Sequence, residues 1–192
     1  GVEGVFLVRP PALSDVRSTL NPFVDAARAR GAKLIVFLSV AGADEASFIP
    51  HARVEAHLRA DREDYTFLRA GFFAQNFEDA YRDDVREDHR IYVPAGRGRV
   101  AFVDLRDVAE LAGQLFADPG KARGLALTLT GPETYDFHQA AGVLSDVSGH
   151  AIRYQPASVW GYARHLRKRG RPWGQVAVQT ALHIGLRFGQ AA

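Results

Sequence analysis

The feature that most constrains the fold is a set of three short, mostly apolar runs, the first of them continuous, separated from one another by segments with helical spacing. The runs are VFLV at residues 5–8, AKLIVFLSV at residues 32–40 and DYTFLRAG at residues 64–71. An unbroken apolar run of this length is typical of a strand that is buried on both faces, as in a parallel sheet. Strands that alternate with helices predict a doubly wound α/β sheet with right-handed crossovers.

The segment between the first two runs predicts a helix with an early interruption. Ser14 or Asp15 can cap its N-terminus, because short polar side chains accept hydrogen bonds from the free N–H groups of a first turn. Pro22 predicts a kink or a division into two short pieces, because proline lacks a backbone donor. Helical spacing places five apolar residues on one face: Val16, Leu20, Phe23, Val24 and Ala27.

Later segments continue the alternation of helices and strands. Residues 51–60 predict a second helix with Val54 and Leu58 on its inner face. Asp104 or Asp107 is expected to cap the helix that follows the strand-like run RVAFV. The sequence then predicts a strand in GLALTLTGPETYDF, a helix ended by glycine in DFHQAAGVLSDVSGH, a short edge strand in AIRYQPAS, and a helical tail interrupted at GRP.

We interpret the chain as one domain over residues 1–192, with a strand-rich part at residues 1–130 and a largely helical part at residues 131–192. The sequence contains no internal repeat, low-complexity tract or linker. Its first residues already read as a buried strand, and it contains no methionine. We therefore expect the domain to be N-terminally incomplete.

Composition excludes several functional classes. The chain has no cysteine, which removes disulfides, zinc–thiolate sites and a thiol nucleophile. The net charge of +2 gives no strong field for nucleic acid, and no apolar run approaches the roughly 20 residues of a membrane helix. The seven histidines are scattered, and no metal site is expected. We expect a cytoplasmic protein that acts on a small-molecule substrate, without a membrane or a nucleic acid as partner.

Six phrases, in this order and spacing, resemble the NmrA-like branch of the atypical short-chain dehydrogenase/reductases. They are VFLVRPP, VFLSVAGAD, HARVEAHLRA, YTFLRAGFFAQNF, VPAGRGRVAFVDLRDVAE and LTGPETYDFHQAAGVLSDVSGHAIRY. The resemblance implies NAD(P) as cofactor, with NADP(H) expected, and hydride transfer to a quinone-like or other small electron-poor acceptor. It also implies an alternative, a non-catalytic redox sensor that binds NAD(P)H and acts through a protein partner.

The resemblance further implies that the fold is the C-terminal part of a Rossmann-type doubly wound parallel sheet, with a small helical region on the substrate side. Residues 5–8, 34–40 and 65–69 would be its fourth, fifth and sixth strands. The family's glycine-rich turn, which lets the backbone approach a pyrophosphate, has no counterpart here, since GRGR at residues 96–99 precedes a strand. We therefore expect the phosphate-binding loop to be absent, and dinucleotide binding by this chain alone to be very weak.

Ligands of open α/β sheets bind beyond the carboxyl ends of the strands, so the residues there are the candidates. By resemblance, Val8, Arg9 and Pro10 lie along the ribose side of the cofactor; the alternative is a strand exit with its arginine in solvent. Ser39 is a candidate for both cofactor binding and catalysis, because its hydroxyl could donate to a carbonyl substrate. Alternatively, the hydroxyl satisfies its own backbone at a strand end.

His51 is the second candidate for both cofactor binding and catalysis. The superfamily's catalytic pair is Tyr-x-x-x-Lys, and by resemblance Ser47 stands at the tyrosine position and His51 at the lysine position. His51 could hydrogen-bond the cofactor or substrate, cap the helix that begins near it, or lie in solvent. It could also pair with Glu55 one helical turn away. A quinone accepts hydride readily and solvent can supply the proton, so positioning would do most of the catalysis.

The third strand end carries an aromatic segment. By resemblance, Gly71, Phe72, Phe73 and Ala74 pass beside the nicotinamide and contact the cofactor. In an extended chain the two phenylalanines point to opposite sides, so one could pack inwards while the other lines a flat apolar pocket. Together with Asn76 they form the predicted substrate pocket; the alternative is that both rings are core.

A basic segment near the C-terminus allows two interpretations. It could contact nucleic acid or another acidic partner, although a solvated helix end is favoured. Its members are Arg164, Arg167, Lys168, Arg169 and Arg171, with Trp160 and Trp173 nearby. A homodimer is the other partner that the sequence leaves open.

Overall fold

The computed structural model describes residues 2–11, 13–60 and 62–188 and shows a mixed α/β protein. The helices are, in chain order, α1 (Leu20–Ala29), α2 (Pro50–Arg59), α3 (Arg82–Arg86), α4 (Leu105–Ala117), α5 (Phe137–Ser148), α6 (Val159–Lys168) and α7 (Trp173–Leu186). The strands are β1 (Gly4–Val8), β2 (Leu34–Val40), β3 (Tyr65–Ala70), β4 (Phe72–Phe73), β5 (Arg90–Ile91), β6 (Arg99–Val100), β7 (Phe102–Val103), β8 (Leu125–Leu129), β9 (Tyr135–Asp136) and β10 (Arg153–Tyr154).

The described residues divide into two compact units. The first consists of Gly1–Gly71 and Val103–Thr130, and the second of Phe72–Phe102 and Gly131–Ala192. Residues 72–102 thus group with the C-terminal part of the chain. That residues 1–192 form one domain stays a prediction from the sequence.

A parallel sheet in the order β1-β2-β3-β8 forms the centre of the first unit. The three apolar runs of the sequence are its first three strands, and the run at residues 125–129 adds the fourth. In the register, Val8 faces Leu38 and Val40 faces Ala70, so the strands end at one edge. All six residues of β3 are buried, which explains the absence of polar alternation in this run.

Helices lie on both faces of this sheet, which confirms the predicted doubly wound α/β class. On one face, the inward side chains of α1 and α2 pack with those of the strands; Val24, Val54, Leu58 and Phe67 are fully buried there. On the other face, α4 approaches β2. Val54 and Leu58 are therefore the inner residues of α2, as their spacing predicts.

The second unit has a core of mixed aromatic and aliphatic side chains under short strands and helices. Strand β10 pairs in parallel with β5, and β6 pairs antiparallel with β9. Helix α5 begins at a capping box in which Asp136 and Gln139 satisfy each other's backbone N–H groups, and it ends at Gly149 with φ +72°. Helices α6 and α7 are separated at residues 169–172, as the sequence predicts.

The prediction for the first helix is wrong in two respects. Helix α1 begins only at Leu20, and neither Ser14 nor Asp15 caps it; the Asp15 carboxylate instead accepts hydrogen bonds from Ser18 in the turn before the helix. Pro22 therefore falls in the first turn, where a missing N–H costs nothing, and it causes no division. Phe23 is 50% exposed rather than part of the buried face.

Asp104 caps α4 by accepting a hydrogen bond from the Arg106 N–H, at 2.7 Å, so the predicted cap is confirmed.

Within residues 2–11, 13–60 and 62–188, no helix combines the length and the apolar character that crossing a membrane requires.

Candidate functional site

The candidate site lies at the carboxyl edge of the sheet in the first unit. Strands β1, β2 and β3 end there at Val8, Val40 and Ala70. Helix α2, which follows β2, begins beside them and contributes two side chains, His51 and Glu55. Two hydrogen-bonded clusters result. The first contains Arg9 and His51, and the second contains Ser39, Glu55, Arg69 and Asp44.

Arg9 holds the turn that follows β1. Its Nη1 donates to the carbonyl oxygens of Pro10 (3.1 Å), Pro11 (3.3 Å) and Leu13 (2.8 Å), and its Nε donates to His51 Nε2 at 3.3 Å. All of these acceptors are neutral, and in the described part of the chain no carboxylate forms an ion pair with Arg9. Partial burial lowers the pKa of its guanidinium, which still remains a cation. The edge of the sheet therefore carries a positive charge without a countercharge.

His51 is a neutral hydrogen-bonding group in this structure. Burial, with a further contribution from the Arg9 charge, lowers the pKa of its imidazole to about 4. Its Nε2 accepts the proton of Arg9 Nε, so in the neutral ring the proton belongs on Nδ1. His51 does not cap α2, because this helix begins at Pro50 and no side chain caps it. The positive charge at this position is thus on Arg9, and His51 can offer one N–H.

The second cluster is a buried ion pair with two polar attachments. Arg69 donates to both oxygens of Glu55, from Nη2 at 2.7 Å and from Nε at 3.1 Å, and the two side chains are 8% and 3% exposed. Arg69 Nη1 also meets the Asp44 carboxylate at 2.5 Å. Such a two-point contact fixes the guanidinium plane, so the cluster ties β3 to α2 and to the loop after β2.

Ser39 belongs to this ion-pair cluster. Its hydroxyl donates to Glu55 Oε1 at 2.6 Å, and the residue is 2% exposed. The hydroxyl proton is therefore already used, and this geometry favours a structural role over donation to a substrate. The catalytic role of Ser39 stays a prediction. Glu55 likewise directs its carboxylate to Ser39 and Arg69 rather than forming the expected pair with His51.

Three other predicted cofactor contacts lie at the same edge. Val8 ends β1 and is about half exposed, and Pro10 is exposed in the turn that Arg9 holds. Gly71 continues the line of β3 and donates its N–H to the Leu129 carbonyl oxygen at 2.9 Å. Their contact with a cofactor stays a prediction.

The remaining predicted residues belong to the second unit. Phe72 is held on several sides by rings of that unit's core, with centroids 5.5 Å from Phe102 and 6.2 Å from Tyr81. Phe73 is half-buried, and Ala74 and Asn76 lie in the 3-10 helix Ala74–Phe77. Phe72 thus takes the inward-packing role, which makes Phe73 the candidate for a pocket wall.

Sequence reasoning missed a buried polar pair beside Phe72. The Tyr81 hydroxyl makes a short hydrogen bond to His183 Nε2, and His183 Nδ1 donates to the Gln179 carbonyl oxygen at 2.5 Å. Burial raises the pKa of Tyr81 and lowers the pKa of His183, so both groups are neutral. Because Tyr81 and His183 are 102 positions apart, nothing local in the sequence predicts this pair.

Sequence reasoning also missed the partnership of Glu55 with Arg69, although one indication was available. Arg69 is the one charged residue in a strand whose neighbours are mostly apolar, which predicts that it is buried, and a buried arginine requires a carboxylate. No group of three or more histidine, aspartate or glutamate side chains in the described segments is arranged to hold a metal ion.

Comparison with known proteins gives consistent matches. A model of the family described as the NmrA-like family matches residues 1–164. The NAD(P)H azoreductase of Xenophilus azovorans is 32% identical over 160 residues, which cover 80% of this chain and 54% of that protein. The Prestalk A differentiation protein A of Dictyostelium discoideum is 29% identical over 170 residues, which cover 88% of this chain and 55% of that protein. The chain thus spans about half the length of these relatives.

A solved structure shares the architecture. The NADPH-dependent quinone oxidoreductase of Escherichia coli, in complex with NADPH, superimposes with a TM-score of 0.85 at 25% identity, covering 100% of this chain and 68% of that chain. Together with the parallel strand order, this match confirms the predicted Rossmann-type α/β fold.

Proposed function

The chain belongs to the NmrA-like family, and from this premise we propose that it is an NAD(P)H-dependent oxidoreductase that reduces a quinone-like or other small electron-poor acceptor. The cofactor, when bound, supplies the hydride. The observation that carries the proposal is the guanidinium of Arg9 at the carboxyl edge of a parallel sheet, where all of its acceptors among the described residues are neutral. Ligands of such sheets bind at this edge.

Arg9 fits an anionic cofactor because its charge is uncompensated in the described part of the chain. A phosphate-bearing ligand would supply the countercharge, and charge-assisted hydrogen bonds from arginine to phosphate are among the strongest in proteins. Val8, Pro10 and Gly71 belong to the same edge and would present backbone to the ligand. NADP(H) is the proposed form of the cofactor, since the matched quinone oxidoreductase is described as NADPH-dependent.

His51 would orient the ligand rather than exchange protons with it. Its imidazole is neutral near pH 7, and Nδ1 is the nitrogen that carries hydrogen. A neutral imidazole N–H donates a hydrogen bond but is far too weak an acid to protonate a product. The proton that completes the reduction would therefore come from solvent. Arg9 fixes the ring by its bond to Nε2, so His51 is a donor of defined orientation.

The acceptor is proposed to be flat and apolar. The support is the exposed side of the aromatic segment, in which Phe72 packs inwards and Phe73 stays half-buried. Phe73 and Asn76 are the proposed substrate contacts, with an aromatic face for stacking and an amide for a carbonyl oxygen. Ser39 stays a proposed contact of the cofactor, and only through its oxygen, since its proton is donated to Glu55.

Oxidation of NADPH and NADH, followed by absorbance, tests this function. The gene product in its natural length is assayed with a panel of quinones and azo dyes. Replacing Arg9 with Met should raise KM for the cofactor about tenfold or more, because a hydrogen bond to a charged group is lost. The matched control is Arg17→Met, an exposed arginine of the same unit. Cofactor binding without turnover of any acceptor would defeat the enzymatic proposal.

A redox-sensing role is the second candidate function. The observation that favours it is the absence of the Tyr-x-x-x-Lys pair, since Ser47 and a neutral His51 stand at those positions. A sensor would bind NAD(P)H and pass its redox state to a protein partner. Calorimetry with oxidised and reduced cofactor distinguishes the two roles. A sensor requires a clear difference between the two affinities, because equal affinities shift no equilibrium.

A further inference from the structure

The two C-terminal helices of the second unit carry an unusual distribution of charge. Residues 1–146 contain 17 lysines and arginines against 22 acidic residues, whereas residues 147–192 contain seven and none. Such asymmetry within one chain indicates a surface that meets an anionic partner. Helix α6 supplies three of these seven, Arg164, Arg167 and Lys168, and it packs against α7, which has none.

The outer side of α6 combines this charge with an exposed indole. Trp160, Arg164 and Lys168 follow one another at intervals of four residues, so they lie on one face of the helix. Trp160 is 84% exposed. On the opposite face Tyr162 and Leu166 are buried in the core. The helix is therefore amphipathic, with its buried side satisfied and a basic, aromatic side directed to solvent.

The outer side of α7 is uncharged. Val178 and Leu182 are 57% and 63% exposed, and the other exposed residues of this helix are a tryptophan, two alanines and a glycine. Its inner side, which includes Val176 and His183, is buried. An apolar helix face is expected to have a partner. Among the described residues, the core covers only the inner side of α7.

An arginine joins the two outer sides. The Arg167 guanidinium stacks on the ring of Trp173, which begins α7, with Cζ 5.1 Å from the centroid. Trp173 remains 67% exposed. We call Trp160, Arg164, Lys168, Trp173, Val178 and Leu182 the α6–α7 surface. It contains both tryptophans of the chain.

Arg169 does not contribute to this surface. Its guanidinium meets the carboxylates of Asp83 at 2.5 Å and Asp84 at 3.1 Å. This arginine of the basic segment is therefore neutralised within the unit. For Arg164 and Lys168, no acidic partner forms an ion pair in the described residues, so their charges are directed to solvent.

We propose that the α6–α7 surface binds the interface of an anionic lipid bilayer. Basic side chains attract the anionic headgroups, tryptophan rings favour the boundary between headgroups and acyl chains, and the aliphatic side of α7 enters the apolar layer. The helices lie on the membrane in this proposal and do not cross it, which revises the expectation from the sequence that the protein has no membrane partner. The protein would be a peripheral one whose attachment depends on lipid charge and on salt.

Charge and polarity favour this occupant over two others. A second copy of the same surface would bring basic residues against basic residues, which is unfavourable. Nucleic acid would satisfy the arginines and could stack on the indoles, but it offers no apolar partner for Val178 and Leu182. A bilayer interface satisfies all three features together.

Tryptophan fluorescence and vesicle sedimentation test the proposal directly, since both indoles lie on the α6–α7 surface. The full chain is mixed with vesicles of pure phosphatidylcholine, or with vesicles that also contain phosphatidylserine. With the anionic vesicles at low salt, we expect sedimentation, a blue shift of the emission and quenching by brominated acyl chains. Each basic side chain near the surface should strengthen binding about fivefold. Sedimentation should be lost at high salt.

Variants separate the charge from the apolar contact. Arg164→Glu with Lys168→Glu should weaken binding to anionic vesicles by at least about 25-fold. Leu182→Ser should reduce quenching by the brominated chains. The matched control, Arg17→Glu with Arg123→Glu, makes the same change of net charge in the first unit and should bind normally. Circular dichroism confirms that each variant is folded.

Several outcomes would overturn the proposal. They are equal binding to neutral and anionic vesicles, no binding to anionic vesicles at low salt, and equal loss of binding in the control variant. Sedimentation equilibrium tests whether a second copy of the chain occupies the surface. A dimer that Leu182→Ser dissociates, together with an absence of vesicle binding, would assign the surface to self-association. A short DNA duplex that binds more tightly than the vesicles would assign it to nucleic acid.

Discussion

One buried polar pair in each compact unit shows how differently such groups can be satisfied. In the first, Arg69 and Glu55 form a two-point ion pair, and both side chains are almost completely buried. In the second, Tyr81 and His183 form one hydrogen bond between neutral groups inside an aromatic core. The first pair lies where strands end and loops begin, and so other polar groups can reach it. The second is surrounded by rings.

This difference shows that surroundings decide how a buried polar group is satisfied. A buried charge requires a countercharge and further hydrogen bonds, which Ser39 and Asp44 supply to the Glu55–Arg69 pair. A neutral group requires only a partner of the right kind, and burial itself keeps Tyr81 and His183 neutral by shifting the pKa of each. Breaking the two pairs should therefore have different costs.

The largest effect is expected from breaking the charged pair. Arg69→Met leaves the Glu55 carboxylate buried without its guanidinium, which should lower the free energy of unfolding by roughly 3–5 kcal/mol. Urea titration measures this loss. Arg59 provides a matched control, because it approaches the same carboxylate at 3.8 Å with a half-exposed side chain. Arg59→Met should cost less than about 1 kcal/mol; equal losses would show that the buried pair is not special.

His51 gives the next largest effect, and it tests a neutral group in the same unit as the buried ion pair. Its pKa is about 4 in the folded protein, against an ordinary value of 6.5. Between these values the unfolded chain holds a proton that the folded protein does not. The contribution of His51 to the free energy of unfolding should therefore fall by roughly 3 kcal/mol in total as the pH is lowered from 6.5 to 4. Above pH 6.5 this contribution should stay constant.

His51→Asn isolates this contribution, because asparagine does not titrate. Unfolding free energies of the two proteins are compared at intervals from pH 7 to pH 4. The advantage of the wild type over the variant should shrink steadily across that range. A difference that does not change with pH would mean that His51 titrates normally and is not held neutral beside Arg9.

The neutral pair of the second unit should be less costly to break. Tyr81→Phe keeps the ring but leaves His183 Nε2 buried without a donor, so the expected loss is roughly 1–3 kcal/mol in thermal or urea unfolding. Tyr135→Phe is the matched control, since its hydroxyl bonds Glu133 at the surface, and it should leave stability unchanged. A loss as large as that of Arg69→Met would remove the distinction between the two pairs.

The smallest effect is expected at the outer end of the charged cluster. Asp44 meets Arg69 at 2.5 Å, but its side chain is about half exposed. Asp44→Ala should therefore cost less than about 1 kcal/mol, and that cost should disappear in high salt. A larger or salt-independent cost would mean that Asp44 belongs to the buried pair and not to its solvent-facing edge.

Much of the fold was predictable because its indications are local. The apolar runs, the helical spacing of Val54 and Leu58, and the caps at Asp104 and Gly149 each depend on a few neighbouring residues. The start of α1 was not predictable in this way. Ser14 and Asp15 are both competent caps, but Asp15 bonds Ser18 in a turn instead. Local rules rank such alternatives without deciding between them.

The candidate site was predictable in position and not in chemistry. Strand ends had to meet at one edge of a parallel sheet, so Arg9, Ser39 and His51 were sound candidates for that edge. Their partners could not be deduced. Glu55 could pair with His51, four residues away, and it pairs instead with Arg69, which the register of β2 and β3 sets beside Ser39.

The sequence by itself determined the alternation of strands and helices, the parallel sheet and the family, because these depend on periodicity and on phrases that can be read along the chain. Only the tertiary structure decided which groups are charged. Burial beside Arg9 makes His51 neutral, burial among rings makes Tyr81 and His183 neutral, and a countercharge keeps Arg69 paired. The physical reason is that the free energy of a charge depends on its surroundings in space, and these come from residues that are distant in sequence.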